Sequence, residues 1–581
     1  MEAKGLKNNR IGCWLIVAFF VLCWLFFFFV YPYHLYYKEE ITLFVQQPDC
    51  LKAYFLKPAF FCELLGDYLT QYFLWRGGGS TIIVFFLIFS WWGLRNSFRT
   101  MGMKSFQSAI WALVPVAIEC ALSCHLEYPL SMNICFALSV WTFVLCTRIS
   151  NVVVRRVLHL FILLLLYLLG GAHFLIYALL VIAFELKQKR SIIFSISMLL
   201  AAFLIPFFVG YLFYLTPTQS YYYPLISRYM LAHPFIYLLT EAGLLFTLLP
   251  IWLQCLSKDF VAAGCLVVTI VISLFLCYNQ KEERTLAFSC EAYFGHWDKV
   301  IRMSQKDSSP SYLSVYYTNL AYAKKGRLCD ELMNHYQPGP YGLLMNIKET
   351  MGYIYAMASP DALIACGDMA QAQHSAMLAM MFTPHQRSSR MMRRLADIAM
   401  VNGEYSVARK YLLMLSHTSL HKTWANRQLD ILNDSTVNVQ LSERRQSLAR
   451  QDTLFSANQW QLSLINLLKA NPTNKMAADY LLCLHLLNKD LKSFKEDYDV
   501  YYYPIFGSNP PRLYQEALME CMSPNKTPEA QLRHYRISTK VFRDCLNYLA
   551  AYQKVQGDGK LLRAQFGKTY WFYHYYAQLK S

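Results

Sequence analysis

The chain has 581 residues, of which 56% are hydrophobic and 16% aromatic but only 16% charged. Soluble domains carry about a quarter charged residues, and disordered chains lack such apolar bulk, so both classes are excluded. The net charge of +17 is spread over both halves, with 18 Lys+Arg against 11 Asp+Glu before residue 281 and 36 against 26 after it; no basic block or module supports nucleic-acid binding, and the balance suits a solvated surface beside anionic lipid headgroups.

The first apolar run, Ile11 to Tyr31, is long enough to span the hydrocarbon core. It is too long and too rich in Phe and Trp for a signal-peptide core, and no small-residue cleavage site follows, so it reads as an uncleaved anchor. Lys38, Glu39 and Glu40 come a few residues later. Adjacent carboxylates beside a membrane suit a general base or a cation, or are plain solvated surface. Phe60, Phe61, Leu64, Leu65, Tyr68, Leu69, Tyr72 and Phe73 recur at helical spacing, with Glu63 and Asp67 on the opposite face. This predicts an amphipathic helix near 58–75 lying on the bilayer surface. Arg76-Gly-Gly-Gly-Ser80 reads as a hinge and lacks the GK[ST] ending of a phosphate-binding loop.

Further apolar runs occupy 81–92, 108–124, 131–146, 157–169, 172–185, 192–214, 235–254 and 260–277, giving about nine spans. The pair flanking Gly170–Gly171 is alternatively one kinked helix. With a cytoplasmic N-terminus, thirteen Lys and Arg fall inside and only Lys38, Lys52, Lys57, Arg76 and Arg228 outside. The positive-inside rule then places residues 281–581 outside the cytoplasm. Glu119 and Glu241 lie within predicted spans, where they either face a proton or ion path or form hydrogen-bonded packing. His159 and His173, fourteen residues apart, fit no compact metal motif, and no metal or cofactor is expected. His34, His125, Glu127, Arg228 and His233 fall on the same side as Glu39 and Glu40. Arg228 and His233 suit the phosphate of a polyprenyl-phosphate lipid. Tyr222 and Tyr223, in the run Tyr221-Tyr-Tyr-Pro224, either stack on a sugar or belong to the interfacial aromatic belt.

From Lys281 the pattern changes to polar-faced helices. Gly295, Gly326, Gly367 and Gly403 each close one helix and open another, 31, 41 and 36 residues apart. This resembles degenerate tetratricopeptide helix–turn–helix repeats, whose stacked array offers a docking surface for envelope proteins. Seventeen cysteines include no CxxC pair. The six beyond residue 280 (Cys290, Cys329, Cys366, Cys483, Cys521, Cys545) leave room for pairing in an oxidising compartment. Tyr570-Trp-Phe-Tyr-His-Tyr-Tyr576 reads as a helix capping the last repeat. No G-x-S-x-G, HExxH or Walker motif is present.

The segments Glu39-Glu-Ile-Thr-Leu-Phe44, Leu69-Thr-Gln-Tyr-Phe73 and Asn471-Pro-Thr-Asn-Lys-Met-Ala477, the last followed by Tyr480-Leu-Leu482, resemble an uncharacterised family of bacterial polytopic inner-membrane proteins with helical-repeat tails. Lys38-Glu39-Glu40 after the first span also resembles the acidic motif of GT-C type membrane glycosyltransferases, without the usual Asp. That resemblance implies Glu39 or Glu40 as catalytic base and a lipid-phosphate sugar donor. The expected fold is therefore all-α, a transmembrane bundle over 1–280 and a tetratricopeptide-like solenoid over 281–581. The expected function is an inner-membrane protein presenting a periplasmic scaffold. The alternatives are a GT-C-like transferase and, third, a transporter.

Overall fold

Apolar runs that look alike in sequence fold into helices of unequal length. The computed structural model describes residues 2–189, 191–225, 238–253, 259–345, 352–383, 386–433, 459–522 and 529–578, with the backbone alone at 2–13 and 259–260. Every regular element among the described residues is helical. The chain divides into two compact units: the first holds residues 1–283 with 387–389 and 414–422, the second the remainder.

In the first unit the longer helices are α1 (Glu2–Leu25), α2 (Tyr33–Glu40), α3 (Phe60–Thr70), α4 (Gly78–Thr100), α5 (Ser105–Trp111), α6 (Leu113–Leu122), α7 (Leu130–Cys146), α8 (Val152–Gly170), α9 (Phe174–Lys187), α10 (Ile192–Leu212), α11 (Leu239–Leu248) and α12 (Asp259–Cys277). Among the described residues four segments are long and apolar enough to cross a membrane: α4, Ser105–Leu122, α8 and α10. Two bent pairs raise this to six: Trp14–Val30 turns 71° into α2, and Val261–Cys277 turns 54° into the following helix. The expected nine spans are thus corrected to between four and six. The reason is length. The runs at 131–146 and 172–185 fold as helices of 17 and 14 residues, and the described part of the run at 235–254 holds a helix of 10. At 1.5 Å per residue the longest reaches only about 26 Å against a hydrocarbon core of about 30 Å. Gly171, at φ 86°, separates α8 from α9, so the kinked-helix alternative is not what forms.

The amphipathic helix forms as α3, prolonged by a 3-10 turn over Gln71–Leu74. It packs through its small and polar side: Cys62, Glu63, Gly66 and Thr70 are buried while Phe61 is exposed. A Cβ on Gly66 would stand 2.9 Å from the Ser131 backbone nitrogen, so the α3–α7 approach requires glycine there. Glu63 is therefore not on a solvated face. Its carboxylate pairs with Lys57.

The ends of the first and last apolar helices of this unit meet. Tyr31 Oη donates to the Asn279 carbonyl at 3.5 Å. The Glu283 carboxylate accepts the backbone N–H groups of Tyr33 at 2.7 Å and His34 at 3.0 Å, filling two donors that the α2 N-terminus leaves open.

The second unit is built from helix pairs. These include α13 (Gln280–Tyr293, beginning in the first unit) with α14 (Trp297–Gln305), α15 (Tyr312–Lys324) with α16 (Leu328–Glu331), α17 (Gly352–Cys366) with α18 (Met369–Phe382), and α19 (Ser389–Asn402) with α20 (Tyr405–Ser416). At all four turns the glycine has positive φ, from 68° to 93°. The next residue's N–H bonds the carbonyl five residues back: His296 to Glu291, Arg327 to Tyr322, Asp368 to Leu363 and Glu404 to Ala399. This is the 6→1 bond of the Schellman motif, which ends one helix and aims the next. The same bond recurs at Asp490–His485, Ile537–Leu532 and Gly557–Tyr552, where the left-handed residue is Lys489, Arg536 or Gln556. Leu328–Glu331 packs on Arg512–Met522, so segments distant in sequence share this core. The six cysteines beyond residue 280 are free thiols.

Within this unit Asp361 lies between two guanidiniums, Arg390 Nη2 at 2.6 Å and Arg394 Nη2 at 2.9 Å. Arg390, fully buried, also donates to Ser289 Oγ and Tyr317 Oη at 2.8 Å each. Burial alone would raise the Asp361 pKa, but Arg394 and Arg390 outweigh it and hold the carboxyl below its ordinary range.

Candidate functional site

Helix α2 carries the acidic pair and is held on every side. Pro32 starts it, which suits a first helical turn that needs no N–H. Lys38, nearly buried, turns inward and donates to the carbonyl oxygens of Ser123 and Tyr128, each at 2.9 Å. His34 Nε2 reaches the same Ser123 carbonyl at 3.2 Å.

Glu39 and Glu40 are 2% and 0% exposed, so the solvated-surface alternative does not hold. His421 Nε2 donates to Glu39 Oε1 at 2.9 Å. Ser389 Oγ donates to the Glu39 carbonyl at 3.2 Å and Ser388 Oγ to that of Glu40 at 2.6 Å. Glu39 Oε2 is buried and accepts no hydrogen bond from the described residues. The segments that supply these groups, 387–389 and 414–422, are clamped further along the chain. Ser389 N–H donates to the Thr42 carbonyl, Gln46 N–H to that of His417, and Ser419 N–H to Gln71 Oε1.

Tyr222 and Tyr223, the expected ligand-binding residues that the structure describes, do not gather at this pair. Tyr223 is buried, its hydroxyl turned to Glu63 and its carbonyl accepting the Ala172 N–H at 2.8 Å. It is a packing residue and presents no open ring to a sugar. Tyr222 is half-buried against the apolar core. Arg228 and His233 lie outside the described residues. Burial pushes the Glu63 carboxyl up to about 7, against the opposing pull of Lys57.

Deeper, a polar cluster sits among apolar helices. Tyr128 Oη donates to Glu119 Oε1 at 2.8 Å, Asn133 Nδ2 to the same oxygen at 3.0 Å, and Thr240 Oγ1 to Glu119 Oε2 at 2.9 Å. His173 Nε2 stands 3.4 Å from Glu119 Oε2, and Nδ1 lies 2.6 Å from Glu241 Oε1. Glu119 and Glu241 are therefore partners through one imidazole. Glu119 and His173 are inaccessible to solvent. His173 belongs to no sequence motif; the signal for it is an ionisable residue in an apolar run, and its partners lie 54 and 68 residues away. Among the described residues no group of three or more His, Cys, Asp and Glu has the arrangement of a metal site.

Lys38 links the two regions, since it sits beside Glu39 on α2 and binds the backbone of Tyr128. Residues 7–577 match the family described as a family of unknown function, DUF6057. The chain belongs to that family. No curated protein and no solved structure matches it. Membership covers α2, the Glu119–His173–Glu241 cluster and the helix pairs alike, and the chemistry must be read from their geometry.

Proposed function

We propose that this protein is a membrane-embedded transferase of GT-C-like design, moving a sugar from a polyprenyl-phosphate donor, with Glu39 as general base. The observation that carries this reading is the Glu39 carboxylate: withdrawn from water, oriented through Oε1 by His421, its Oε2 left without a hydrogen bond from the described residues. A buried acceptor with no donor is unfavourable and is retained where a substrate completes it. In the reaction Oε2 takes the proton of the acceptor hydroxyl as its oxygen bonds to the anomeric carbon. The bond from that carbon to the phosphate oxygen breaks, and the lipid phosphate leaves with the electron pair.

Architecture supports the same reading. An anchor, an acidic helix at its exit, a surface helix and further apolar helices follow in order. The Tyr31–Asn279 and Glu283–α2 contacts support an exit of residue 283 on the side of the membrane that carries α2. With the N-terminus cytoplasmic, that side is the periplasmic one, and the tetratricopeptide-like helix pairs serve as an acceptor guide there.

The test is turnover of polyprenyl-phosphate sugars by the purified full-length protein, comparing wild type with Glu39→Gln and Glu40→Gln. Sugar release that is lost in Glu39→Gln with folding intact is the expected result; no release from any donor of a broad panel removes the reading.

A second reading, a periplasmic scaffold for envelope proteins, draws on the seven Schellman-type turns of the second unit, which order its helix pairs. Crosslinking from residues 281–470 in intact envelopes tests it. Discrete protein adducts are expected, and their absence overturns it.

A further inference from the structure

A cleft of about 510 Å³ opens in the second unit between the C-terminal end of α14, one face of α15 and the turn at 331–336, with Lys568 at its rim. Its size falls in the range of about 300–1,000 Å³ typical of small-molecule sites. The carboxylates and the imidazole that line it are already engaged. Asp307 Oδ1 accepts Arg284 Nη1 at 3.0 Å and the Ser309 N–H at 3.1 Å. Glu331 pairs with Arg327, and its Oε2 accepts Asn334 Nδ2 at 2.8 Å. His335 Nε2 meets Asn319 Oδ1 at 2.9 Å, and burial pushes the ring pKa down to about 4, so the imidazole is neutral at pH 7.

The remaining lining mixes the hydroxyls of Ser304 and Ser308 and the amides of Gln305 and Asn334 with the apolar Phe288 and Val315 and the ring of Tyr336, which is 52% exposed. A cationic ligand would find both carboxylates occupied by arginines. An apolar ligand would strand the hydroxyls and amides. A peptide strand would look for an open row of backbone groups, and the polar part of this lining is side-chain hydroxyl and amide. A polyhydroxylated ring suits the site on both counts. Its hydroxyls donate and accept as Ser, Gln and Asn do, and its C–H face can lie on Tyr336.

We propose that this cleft is a saccharide-binding site, taking a mono- or disaccharide with Tyr336 as the stacking platform and Asn334, Ser304 and Ser308 as hydroxyl partners. The proposal stands on residues of the second unit alone and does not depend on Glu39 chemistry.

The test uses the full-length protein in a detergent without a sugar headgroup. Methyl glucoside, methyl galactoside, methyl mannoside, N-acetylglucosamine, lactose and chitobiose are screened by saturation-transfer NMR and titrated by calorimetry. At least one of them binds, with an affinity weakened about tenfold or more in Tyr336→Ala and in Asn334→Ala and unchanged in Glu39→Gln. Both substituted positions are exposed, so folding is preserved. Absence of binding across the panel, or equal affinity in both cleft variants, overturns the proposal. So does displacement of the bound sugar by a short-peptide mixture with tighter affinity, which would make this a peptide site.

Discussion

In the first unit one imidazole lies between two carboxylates, His173 between Glu241 at 2.6 Å and Glu119 at 3.4 Å; in the second, one carboxylate lies between two guanidiniums, Asp361 between Arg390 and Arg394. Both shared groups are buried, but their surroundings differ. Around Glu119 the donors are neutral, Tyr128, Asn133 and Thr240, and the helices outside them are apolar. Around Asp361, Arg394 keeps 23% of its side chain exposed. In the second cluster Arg394 can turn toward water although Arg390 cannot, and a charge stranded in the first has no such outlet. The same interaction should therefore be more costly to break in the apolar unit.

The largest expected effect is at His173. His173→Leu leaves two carboxylates without the group they share and should lower stability by about 3–5 kcal/mol. Denaturant unfolding in detergent measures it, and a loss under about 1 kcal/mol would show that the cluster is not a structural unit. Asp361→Asn should remove about 2 kcal/mol, because the guanidinium bonds weaken while Arg394 can rehydrate. A loss larger than that of His173→Leu would invert the comparison.

The units also respond to pH in opposite directions at Glu63 and Asp361. The folded-state pKa of Glu63, about 7, exceeds its ordinary 4.5, so its contribution is full below pH about 4.5 and is lost as pH rises through about 7. Asp361 is depressed in the folded state, so its contribution is present above the ordinary carboxylate range and is lost on acidification. Melting temperature across pH 5–8 should fall less steeply in Glu63→Gln than in wild type; identical slopes would contradict the assignment of Glu63.

The smallest effects concern the turns. Gly403→Ala forces a side chain into φ 82° and should cost about 1 kcal/mol. Gln556→Gly relieves φ 52° and should add a few tenths of a kcal/mol. Thermal melts of the two variants should move in opposite directions.

These turns also show what the sequence makes legible. Gly295, Gly326, Gly367 and Gly403 announce their helix pairs because glycine is the ordinary left-handed residue. Lys489, Arg536 and Gln556 occupy the same conformation and announce nothing, so the later pairs look irregular. Hydropathy located the apolar runs but not their helical lengths, since packing around Glu119 and His173 lets shorter helices bury apolar residues that read as spans. Glu39 and Glu40 stood out as an acidic pair, yet His421 lies 382 residues away and has no motif of its own. Glu63 followed the helical period correctly, but the side of α3 that faces inward was set by Gly66 against Ser131, a contact that periodicity does not encode.

The central claim, that Glu39 is a base poised by His421, is tested most directly by the rate of sugar release from a polyprenyl-phosphate donor in Glu39→Gln and His421→Gln against wild type. The account predicts a loss of about 100-fold or more in Glu39→Gln and a smaller loss in His421→Gln, with melting temperatures close to wild type. Wild-type turnover in Glu39→Gln would contradict it.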